Sequence, residues 1–320
     1  MKVYFAPMEG VTDVTYRRLH CRCFPGIDRY FMPFLSPSHD LTLTHREQRA
    51  IDPEGNRGVP VIPQLLTRDA GHFVGMTKVL ADLGYTEVNL NAGCPSGTVT
   101  AKGKGSGMLR TPDELDAFLD AVFARSPLPV SIKTRIGYER PEEWERLLPI
   151  FARYPFTEVI LHPRTRKEFY GGTSHREVLR ETLNALKVPL VYNGDLFAPE
   201  DCLAAEKEFP ELHALMLGRG LIADPALARV YRGGAGISLE ELRHFHDLLY
   251  AEYQQTWQPN FVVGHMDEIM KYMIRCFEHP EKPLKAMRKA KTQAAYEDAI
   301  SLLFDTCPLR KRPYFELPFL

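Results

Sequence analysis

Short β-forming runs recur at a regular spacing through the first 220 residues, and this rhythm constrains the fold more than any other feature of the chain. Most runs precede a segment of helical periodicity, and neighbouring runs are about 30 residues apart. The eight runs are VYFAPM (3–8), YFMPF (30–34), PVIPQLL (60–66), TEVNLN (86–91), PVSIKTRIG (129–137), EVILHPR (158–164), PLVYNGD (189–195) and ALMLGRG (214–220). Eight alternations of strand and helix predict an α/β fold, the (β/α)8 or TIM barrel.

An open, doubly wound α/β sheet is the competing fold. That fold would carry a GxGxxG turn after its first strand, and the first run is followed by no such turn. After RGGAG (232–236) the periodicity is helical only, over roughly 238–256, 261–277 and 281–304. We therefore predict a barrel domain over residues 1–235 and a small, all-helical domain over residues 236–320.

The composition excludes several classes of protein. Hydrophobic residues make up 44% of the chain and charged residues 25%, which supports a sizeable core and argues against disorder. The formal net charge is -1, so a nucleic-acid site requires local clustering of cations. The 6 cysteines are scattered and form no CxxC pair, so we expect neither a disulfide framework nor a metal site. No secretory signal or membrane helix is visible, and we expect a cytoplasmic protein.

Polar or glycine-rich residues follow seven of the eight runs. In a (β/α)8 barrel the active site lies at the carboxyl ends of the strands. Taken singly, several of these residues have structural explanations, such as a solvated lysine, a core histidine or an Asn-Gly-Asp turn. Their joint position predicts an active site. The residues are Pro7, Met8, Glu9, Gln64, Asn89, Asn91, Cys94, Lys133, Arg135, His162, Arg164, Asn193, Asp195, Gly218 and Arg219.

The loops after the last two strands, YNGDLF and LGRGLI, predict a phosphate site. Barrels often bind phosphate there, because glycines let backbone N–H groups approach an anion, and Arg219 adds charge. Gln64, Lys133 and His162 would then surround the polar ring edge of the same ligand. Flavin mononucleotide (FMN) fits this demand, since Lys133 could stabilise an anionic reduced flavin.

Several motifs together resemble those of the tRNA-dihydrouridine synthases. They are APMEGVTD (6–13), PQLL (63–66), EVNLNAGCPSGTV (87–99), SIKTR (131–135), LHPRTR (161–166), YNGD (192–195) and LGRG (217–220). The similarity spans all eight runs and continues into the helical tail. The PMEGV opening and the short tail resemble the bacterial C-type subgroup, which acts on uridine 16 of the D-loop. One departure is Pro163, where the family usually has glycine.

The resemblance implies FMN as cofactor, NADPH as reductant and tRNA as substrate. Hydride would pass from flavin N5 to uracil C6, and Cys94 would donate the proton to C5. The residues expected to contact the flavin and its polar edge are Pro7, Met8, Glu9, Gln64, Asn91, Lys133 and His162. Those expected to hold its phosphate are Asn193, Gly194, Asp195, Gly218 and Arg219.

Cys94 suits the role of an acid on chemical grounds. A thiol with an ordinary pKa of about 8.5 is mostly protonated at neutral pH yet can release its proton. The rigid turn at Pro95 and the glycine-rich stretch after it would hold the thiol over the base, as part of a lid. An inert, buried thiol is the alternative, and Gly93-Cys94-Pro95 is typical of a loop instead.

The helical tail carries the clearest candidate RNA contact. KPLKAMRKAK (282–291) contains five cations and no anion, and three of the cations fall on one helix face. The alternative is that this helix face contacts only solvent and binds no RNA. A uridine in folded RNA must leave its stack to be reduced, so phosphate contacts must position the rest of the tRNA. The predicted RNA contacts are Lys102, Arg135, Arg164, Lys285, Arg288 and Lys289, with Lys104, Arg110 and 310–312 extending the track.

Two other functions compete with this one. An FMN-dependent dehydrogenase of free pyrimidines, of the dihydroorotate or dihydropyrimidine type, would have no use for the basic tail. A non-catalytic tRNA-binding module would keep that tail but would have lost Cys94 or Lys133, and both are present. We expect the chain to act as a monomer.

Overall fold

All eight predicted runs form strands, and the third forms two short ones. The computed structural model describes residues 1–315. The strands are β1 (Lys2–Phe5), β2 (Arg29–Phe31), β3 (Val61–Ile62), β4 (Gln64–Leu65), β5 (Val88–Ala92), β6 (Val130–Gly137), β7 (Val159–Thr165), β8 (Leu190–Asn193) and β9 (Ala214–Leu217).

The strands form one parallel sheet in the order β3-β2-β1-β9-β8-β7-β6-β5-β4. Its two ends, β3 and β4, are halves of a single run that Pro63 interrupts, because proline has no N–H for the ladder. The Leu35 N–H donates to the Gln64 carbonyl at 2.8 Å across this junction. The sheet therefore closes into a ring of eight strands, and the predicted (β/α)8 barrel is confirmed.

Fourteen α-helices are present in residues 1–315. They are α1 (Val14–Cys23), α2 (His45–Ile51), α3 (Ala70–Asp82), α4 (Gly97–Thr100), α5 (Pro112–Phe123), α6 (Trp144–Phe151), α7 (Val178–Ala185), α8 (Pro199–Glu208), α9 (Arg219–Ala223), α10 (Leu227–Tyr231), α11 (Leu239–Thr256), α12 (Pro259–Met273), α13 (Glu281–Lys289) and α14 (Gln293–Thr306). Short 3-10 helices span Gly105–Arg110, Pro141–Glu143 and Ile274–Cys276. None of the helices in this part of the chain is both long and apolar enough to cross a membrane.

Helix α5 illustrates why these segments become helical. Pro112 occupies the first turn, where its missing N–H costs nothing, and Asp113 and Glu114 face the positive end of the helix dipole. The apolar residues recur every three or four positions and are buried: Leu115, Phe118, Leu119 and Val122. Burying each large side chain contributes roughly 1.5–3 kcal/mol, which holds the helix against the sheet.

Apolar side chains form a buried cluster on the strands of the barrel. Successive side chains of a strand alternate between its two faces, so the cluster takes alternate residues where it draws two from one run, as at Tyr4 and Ala6. The cluster comprises Tyr4, Ala6, Phe31, Ile160, Val191, Ala214 and Met216, with Ile62 packed against it. This packed core supports the polar residues towards the carboxyl ends of the strands.

The chain divides into two compact units. The barrel unit comprises Met1–Pro7, Asp28–Asp195 and Ala205–Met216. The helical unit comprises Met8–Ile27, Leu196–Ala204 and the chain from Leu217 onward. The division at residue 235 expected from the sequence stays a prediction.

The tail after residue 235, described as far as residue 315, forms four α-helices, α11 to α14, where its helical periodicity predicts three or four. The periodic segment 281–304 divides into α13 and α14. Ala290 leaves the helix with φ -65° and ψ 120°. Thr292 then begins the next helix, because its hydroxyl accepts a hydrogen bond from the Ala295 N–H at 3.3 Å.

Candidate active site at the carboxyl ends of the strands

A chain of buried side-chain amides crosses β4, β5 and β6. Gln64 Nε2 donates to Asn89 Oδ1 at 2.8 Å, and Asn89 Nδ2 donates to Ser131 Oγ at 2.9 Å. Asn91 Nδ2 donates to Gln64 Oε1, also at 2.8 Å. The strand register makes this possible, because Gln64 pairs with Asn89 and Asn89 with Ser131. Buried amides need hydrogen-bond partners, and these side-chain hydrogen bonds fix the orientation of each amide group.

Asn91 also holds the loop that carries Cys94. Its Oδ1 accepts hydrogen bonds from the backbone N–H groups of Gly93 at 3.1 Å and Cys94 at 2.9 Å. On the other side, the Cys94 carbonyl accepts from the Ser106 N–H at 3.1 Å and from its hydroxyl at 2.8 Å. The Cys94 backbone is thus fixed from both sides, as a positioned reactive group requires.

The glycine-rich stretch after Cys94 has a steric explanation. Gly105 has φ +58°, and a Cβ there would lie 2.9 Å from the Cys94 carbonyl oxygen and 3.0 Å from the Cys94 Cβ. Only glycine tolerates both the conformation and the contact. Cys94 itself is half-buried, whereas Cys202, Cys276 and Cys307 are buried. This exposure suits a reactive loop thiol better than an inert core thiol.

Lys133 lies beside this loop on β6, where it pairs in register with Asn91. The pKa of Lys133 is lowered to about 7, because burial disfavours the ammonium and the Arg135 charge repels it, while the charge of a Cys94 thiolate acts in the opposite direction. Within residues 1–315 its ammonium makes no hydrogen bond or ion pair. A half-buried cation with no protein partner in this range is suited to an anionic or electron-rich ligand.

Arg135, a predicted RNA contact, is buried at the end of β6. It is 1% exposed, and burial lowers its pKa to about 10. Its Nε donates to the Gly93 carbonyl at 3.0 Å and its NH1 to the Thr165 carbonyl at 2.8 Å. Arg135 therefore joins the Cys94 loop to the end of β7, and its role as an RNA contact stays a prediction.

Arg164 was also predicted to contact RNA, and it too is 1% exposed. Both of its terminal nitrogens donate to the Asp195 carboxylate, with NH1 3.0 Å from Oδ1. Its Nε donates to the Gly171 carbonyl at 3.0 Å and its NH2 to the Gly172 carbonyl at 2.7 Å. The buried Arg164 guanidinium, paired with the half-buried Asp195 carboxylate, makes Arg164 a positioning residue for two loops.

The same guanidinium fixes the tautomer of His162. Arg164 NH1 lies 3.1 Å from His162 Nε2, and a guanidinium can only donate. His162 Nε2 therefore accepts, which places the single ring proton on Nδ1. His162 is 5% exposed, and its ring would be 3.3 Å from a Cβ at Gly194.

The predicted phosphate residues after β8 have distinct local environments. Asn193 Nδ2 donates to the Met216 carbonyl at 2.7 Å, which ties the end of β8 to β9. Gly194 is buried, and a Cβ there would lie 3.2 Å from Ser174 Oγ. Asp195 has φ +49°, a left-handed conformation that aspartate tolerates better than most residues. This turn brings bare backbone close to the His162 ring.

A family model described as dihydrouridine synthase matches residues 4–304, which is nearly the whole chain. The chain belongs to the dihydrouridine synthase family. The expected tRNA-dihydrouridine synthase class of enzyme is thereby confirmed.

Curated relatives agree with this assignment. A probable tRNA-dihydrouridine synthase of Rhodobacter capsulatus is 29% identical over 261 residues, which cover 79% of this chain and 78% of the relative. A tRNA-dihydrouridine(16) synthase of Pseudomonas putida is 28% identical over 291 residues, covering 87% and 89%.

Solved structures share the fold alone. An old yellow enzyme homologue from Zymomonas mobilis superposes with a TM-score of 0.53 at 12% identity, over 75% of this chain and 91% of that one. Histamine dehydrogenase from Rhizobium sp. 4-9 gives a TM-score of 0.55 at 10% identity, over 87% and 51%. Both likenesses are consistent with the closed ring of strands.

In this dihydrouridine synthase, Pro7 ends the barrel unit and is half-buried, and the next predicted flavin contacts belong to the helical unit. Met8 begins a turn, since its carbonyl accepts from the Thr12 N–H at 2.9 Å, and Glu9 is exposed. Gly218 caps α9, and the Arg219 guanidinium lies 5.0 Å from the Phe197 ring centroid. These roles as flavin and phosphate contacts stay predictions.

The predicted tRNA contacts on α13 are exposed together. Lys285, Arg288 and Lys289 face solvent, whereas Pro283 and Met287 are buried. The helix is therefore amphipathic, with an apolar side in the helical unit and a cationic side outward. Lys102, on the loop after Cys94, is also exposed. The structure thus leaves these four cations accessible.

Two further residues near the candidate site of this dihydrouridine synthase, Tyr170 and Arg166, were not predicted from the sequence. Tyr170 is 43% exposed, and its ring lies 5.5 Å from the Arg135 guanidinium and 6.2 Å from the His162 ring. Arg166 Nε donates to the Pro95 carbonyl at 3.1 Å, next to Cys94. The aromatic pair before Gly171 was the available signal, because exposed aromatics beside a strand end favour ligand contact.

Pro163 departs from the usual family glycine without breaking β7. The register between β6 and β7 shifts between Arg135 and Gly137, opposite this residue. Proline is tolerated at such an irregularity because no ladder N–H is required there. The turn after His162 thus forms with proline in place.

Proposed function

We propose that this chain reduces uridine 16 of tRNA to 5,6-dihydrouridine, with FMN as cofactor and NADPH as reductant. The observation that carries the proposal is the Cys94 loop, which Asn91 and Ser106 hold beside the unpaired ammonium of Lys133. Position 16 is supported by two relatives named tRNA-dihydrouridine(16) synthase, each aligned over 87% of this chain.

The residues at the carboxyl ends of the strands fit an FMN group. Lys133 supplies a cation without a protein partner, which matches the electron-rich edge of the ring system. His162 lies beside Gly194, whose buried backbone leaves room where a Cβ would fill the space. Gln64 would add its remaining amide N–H. When bound, the flavin would supply the hydride for C6 of the uracil.

The chain's own chemistry is the transfer of one proton. Cys94 Sγ–H would give its proton to C5 of the base. With the hydride at C6, the uracil would thus gain two hydrogens. Solvent would then reprotonate the Cys94 thiolate. Lys133 and Arg135 lie near enough to interact with a Cys94 thiolate. Their charges would stabilise the thiolate that the transfer leaves behind.

The thiol must reach the base while water is kept out. Asn91 and Ser106 fix the Cys94 backbone, and Tyr170 stands exposed at the same rim, where it can cover a base that has left its stack. A cytoplasmic location and a monomeric state, both expected from the sequence, remain parts of this proposal.

One experiment tests reaction, substrate and position together. The flavin-loaded protein is incubated with NADPH and a tRNA transcript that lacks dihydrouridine, and nuclease fragments are examined by mass spectrometry. A gain of two hydrogens at uridine 16 is the expected result. A gain at another uridine would contradict the position, and a flavin-loaded protein that leaves tRNA unchanged would contradict the substrate.

A further inference from the structure

Four planar side chains alternate on the barrel unit: Arg110, Tyr138, Arg166 and Phe169. The guanidinium carbons of Arg110 and Arg166 lie 4.3 Å and 5.4 Å from the centroid of the Tyr138 ring. Arg166 also lies 4.9 Å from the centroid of the Phe169 ring. We call these four residues the rim stack. Guanidinium groups at these distances from aromatic rings are in the range of cation–π contacts.

The rim stack is attached to the loop that carries Cys94. Arg166 Nε donates to the Pro95 carbonyl at 3.1 Å, and Arg110 NH2 donates to the Thr100 carbonyl at 2.8 Å. Within residues 1–315 neither guanidinium forms an ion pair with a carboxylate. Two cations whose charge the protein does not neutralise therefore lie at fixed positions next to the candidate acid.

Phe169 has an unusual backbone conformation for its type. Its φ is +51°, a region that bulky side chains rarely adopt, and its ring is 41% exposed. The loop enforces this conformation, since the Thr165 N–H donates to the Glu168 carboxylate at 2.6 Å and the Gly171 N–H to the Glu168 carbonyl at 2.8 Å. A glycine would relieve the strain, and the exposed ring adds little to the core, so the side chain points to a function outside folding.

The chemistry of the rim stack matches one kind of ligand. Unpaired bases of RNA are recognised by stacking on aromatic rings and on guanidinium planes, with cations near the phosphates. When a uridine leaves its stack, its neighbour loses a stacking partner and needs a replacement. The exposed Phe169 ring beside Arg166, with Arg110 on the neighbouring Tyr138 ring, provides both elements at one edge of the site.

We propose that the rim stack binds the unpaired nucleotide next to the reduced uridine, with its base stacked on Phe169. This inference rests on the proposed function for the identity of the RNA. Phe169 thus holds the RNA and does not take part in the chemistry. Its loss should weaken tRNA binding and leave the proton transfer from Cys94 unchanged.

The test compares Phe169→Gly, Phe169→Leu and Phe169→Trp in the flavin-loaded protein. Filter binding gives the tRNA Kd, steady-state kinetics separate kcat from KM, and thermal melting reports the fold. Stacking of one base accounts for about a 5- to 100-fold change in affinity. Phe169→Gly and Phe169→Leu should raise Kd and KM by that factor at unchanged kcat. Phe169→Trp should stay within about twofold of the wild type, since it keeps a stacking face.

A matched control is Leu83→Ala. Leu83 is 38% exposed and follows α3 before β5, so it lies at the amino ends of the strands. Its removal should leave Kd, KM and kcat unchanged. Phe169→Gly should melt no lower than the wild type, because glycine adopts a positive φ without strain.

The outcomes separate this inference from the proposed function. If Phe169→Gly leaves the tRNA Kd and KM unchanged while the wild type forms dihydrouridine, the rim stack does not bind RNA. The proposed function is then unaffected. If Phe169→Gly raises the tRNA Kd but the wild type forms no dihydrouridine, RNA binding at Phe169 is supported and the proposed reaction is contradicted. An equally raised Kd in Leu83→Ala would also overturn the inference.

Discussion

The side-chain oxygen of Asn91 accepts a hydrogen bond from the backbone N–H of Cys94 at 2.9 Å, while its amide nitrogen donates to Gln64 at 2.8 Å. One side chain thus links the rigid interior of the barrel to the candidate acid. The backbone of Cys94 is thereby tied to strands β4 and β5. This relationship makes Asn91 a positioning residue whose effect can be measured.

Replacing Asn91 by Ala should lower the rate of uridine reduction by about 10- to 100-fold, because small misplacements of a reactive group carry costs of that size. Reduction of bound flavin by NADPH should change far less, since it does not involve Cys94. Rapid-mixing measurements of the two half-reactions separate them. Equal losses in both would show that Asn91 acts on the flavin and not on the thiol.

Replacing Cys94 by Ala should leave flavin binding intact and lower turnover on tRNA by about 10²- to 10⁴-fold, the usual contribution of a general acid. NADPH should still reduce the flavin. Cys23→Ala is a matched control, because Cys23 is another half-buried thiol but lies at the end of α1. Normal turnover in Cys94→Ala would refute the acid role.

Replacing Lys133 by Met should weaken flavin retention while making the flavin-free protein melt higher near neutral pH. The pKa of Lys133 falls from 10.5 to about 7 on folding, chiefly through burial, so the unfolded chain binds the proton more tightly. The lowered pKa of Lys133 reduces the stability of the folded protein. This loss of stability is full below about pH 7 and shrinks as the pH rises towards 10. The difference in Tm between variant and wild type should therefore narrow over that range.

The flavin content of the same Lys133→Met protein provides the second readout. It is measured by absorbance after a desalting column, beside the wild type. Full flavin retention would contradict the assignment of Lys133 to the cofactor. A difference in Tm that stays constant between pH 7 and 10 would contradict the burial of the ammonium.

The barrel could be predicted because its cause is local: apolar runs of strand length alternate with helical periodicity, and only a few folds accept that order. The Cys94 loop was also readable, since Gly93 and Pro95 interrupt a strand, and Cys94 lies outside any strand or helix. In both cases the constraint acts between residues close in the sequence or follows from a fixed strand order.

The interactions that could not be predicted join residues distant in sequence. The charge of Arg135 and Arg164 is visible in the sequence, whereas their carbonyl and carboxylate partners become visible only in the folded loops. Tyr170 was missed because the loop after β7 has no periodicity. The position of the break between α13 and α14 could not be predicted, because Ala290 and Lys291 favour helix and the Thr292 cap overrides that preference.

Reversing the charge of Lys285, Arg288 and Lys289 to Glu should raise the tRNA KM and flatten its dependence on salt. The three cations lie on the exposed side of α13, and each lost phosphate contact reduces the slope of log K against log salt by about 0.7–0.9. The buried side, Pro283 and Met287, is unchanged, so thermal melting should be close to that of the wild type.

The control for this helix carries the same change of charge elsewhere. Lys78, Arg125 and Arg146 are exposed on the outer helices of the barrel unit or just beyond them, and the triple change to Glu there alters net charge equally. Its salt slope should match that of the wild type, because phosphates make no direct contact with those positions. If both triple variants flatten the slope alike, the effect is one of net charge, and α13 is not the site where the tRNA backbone binds.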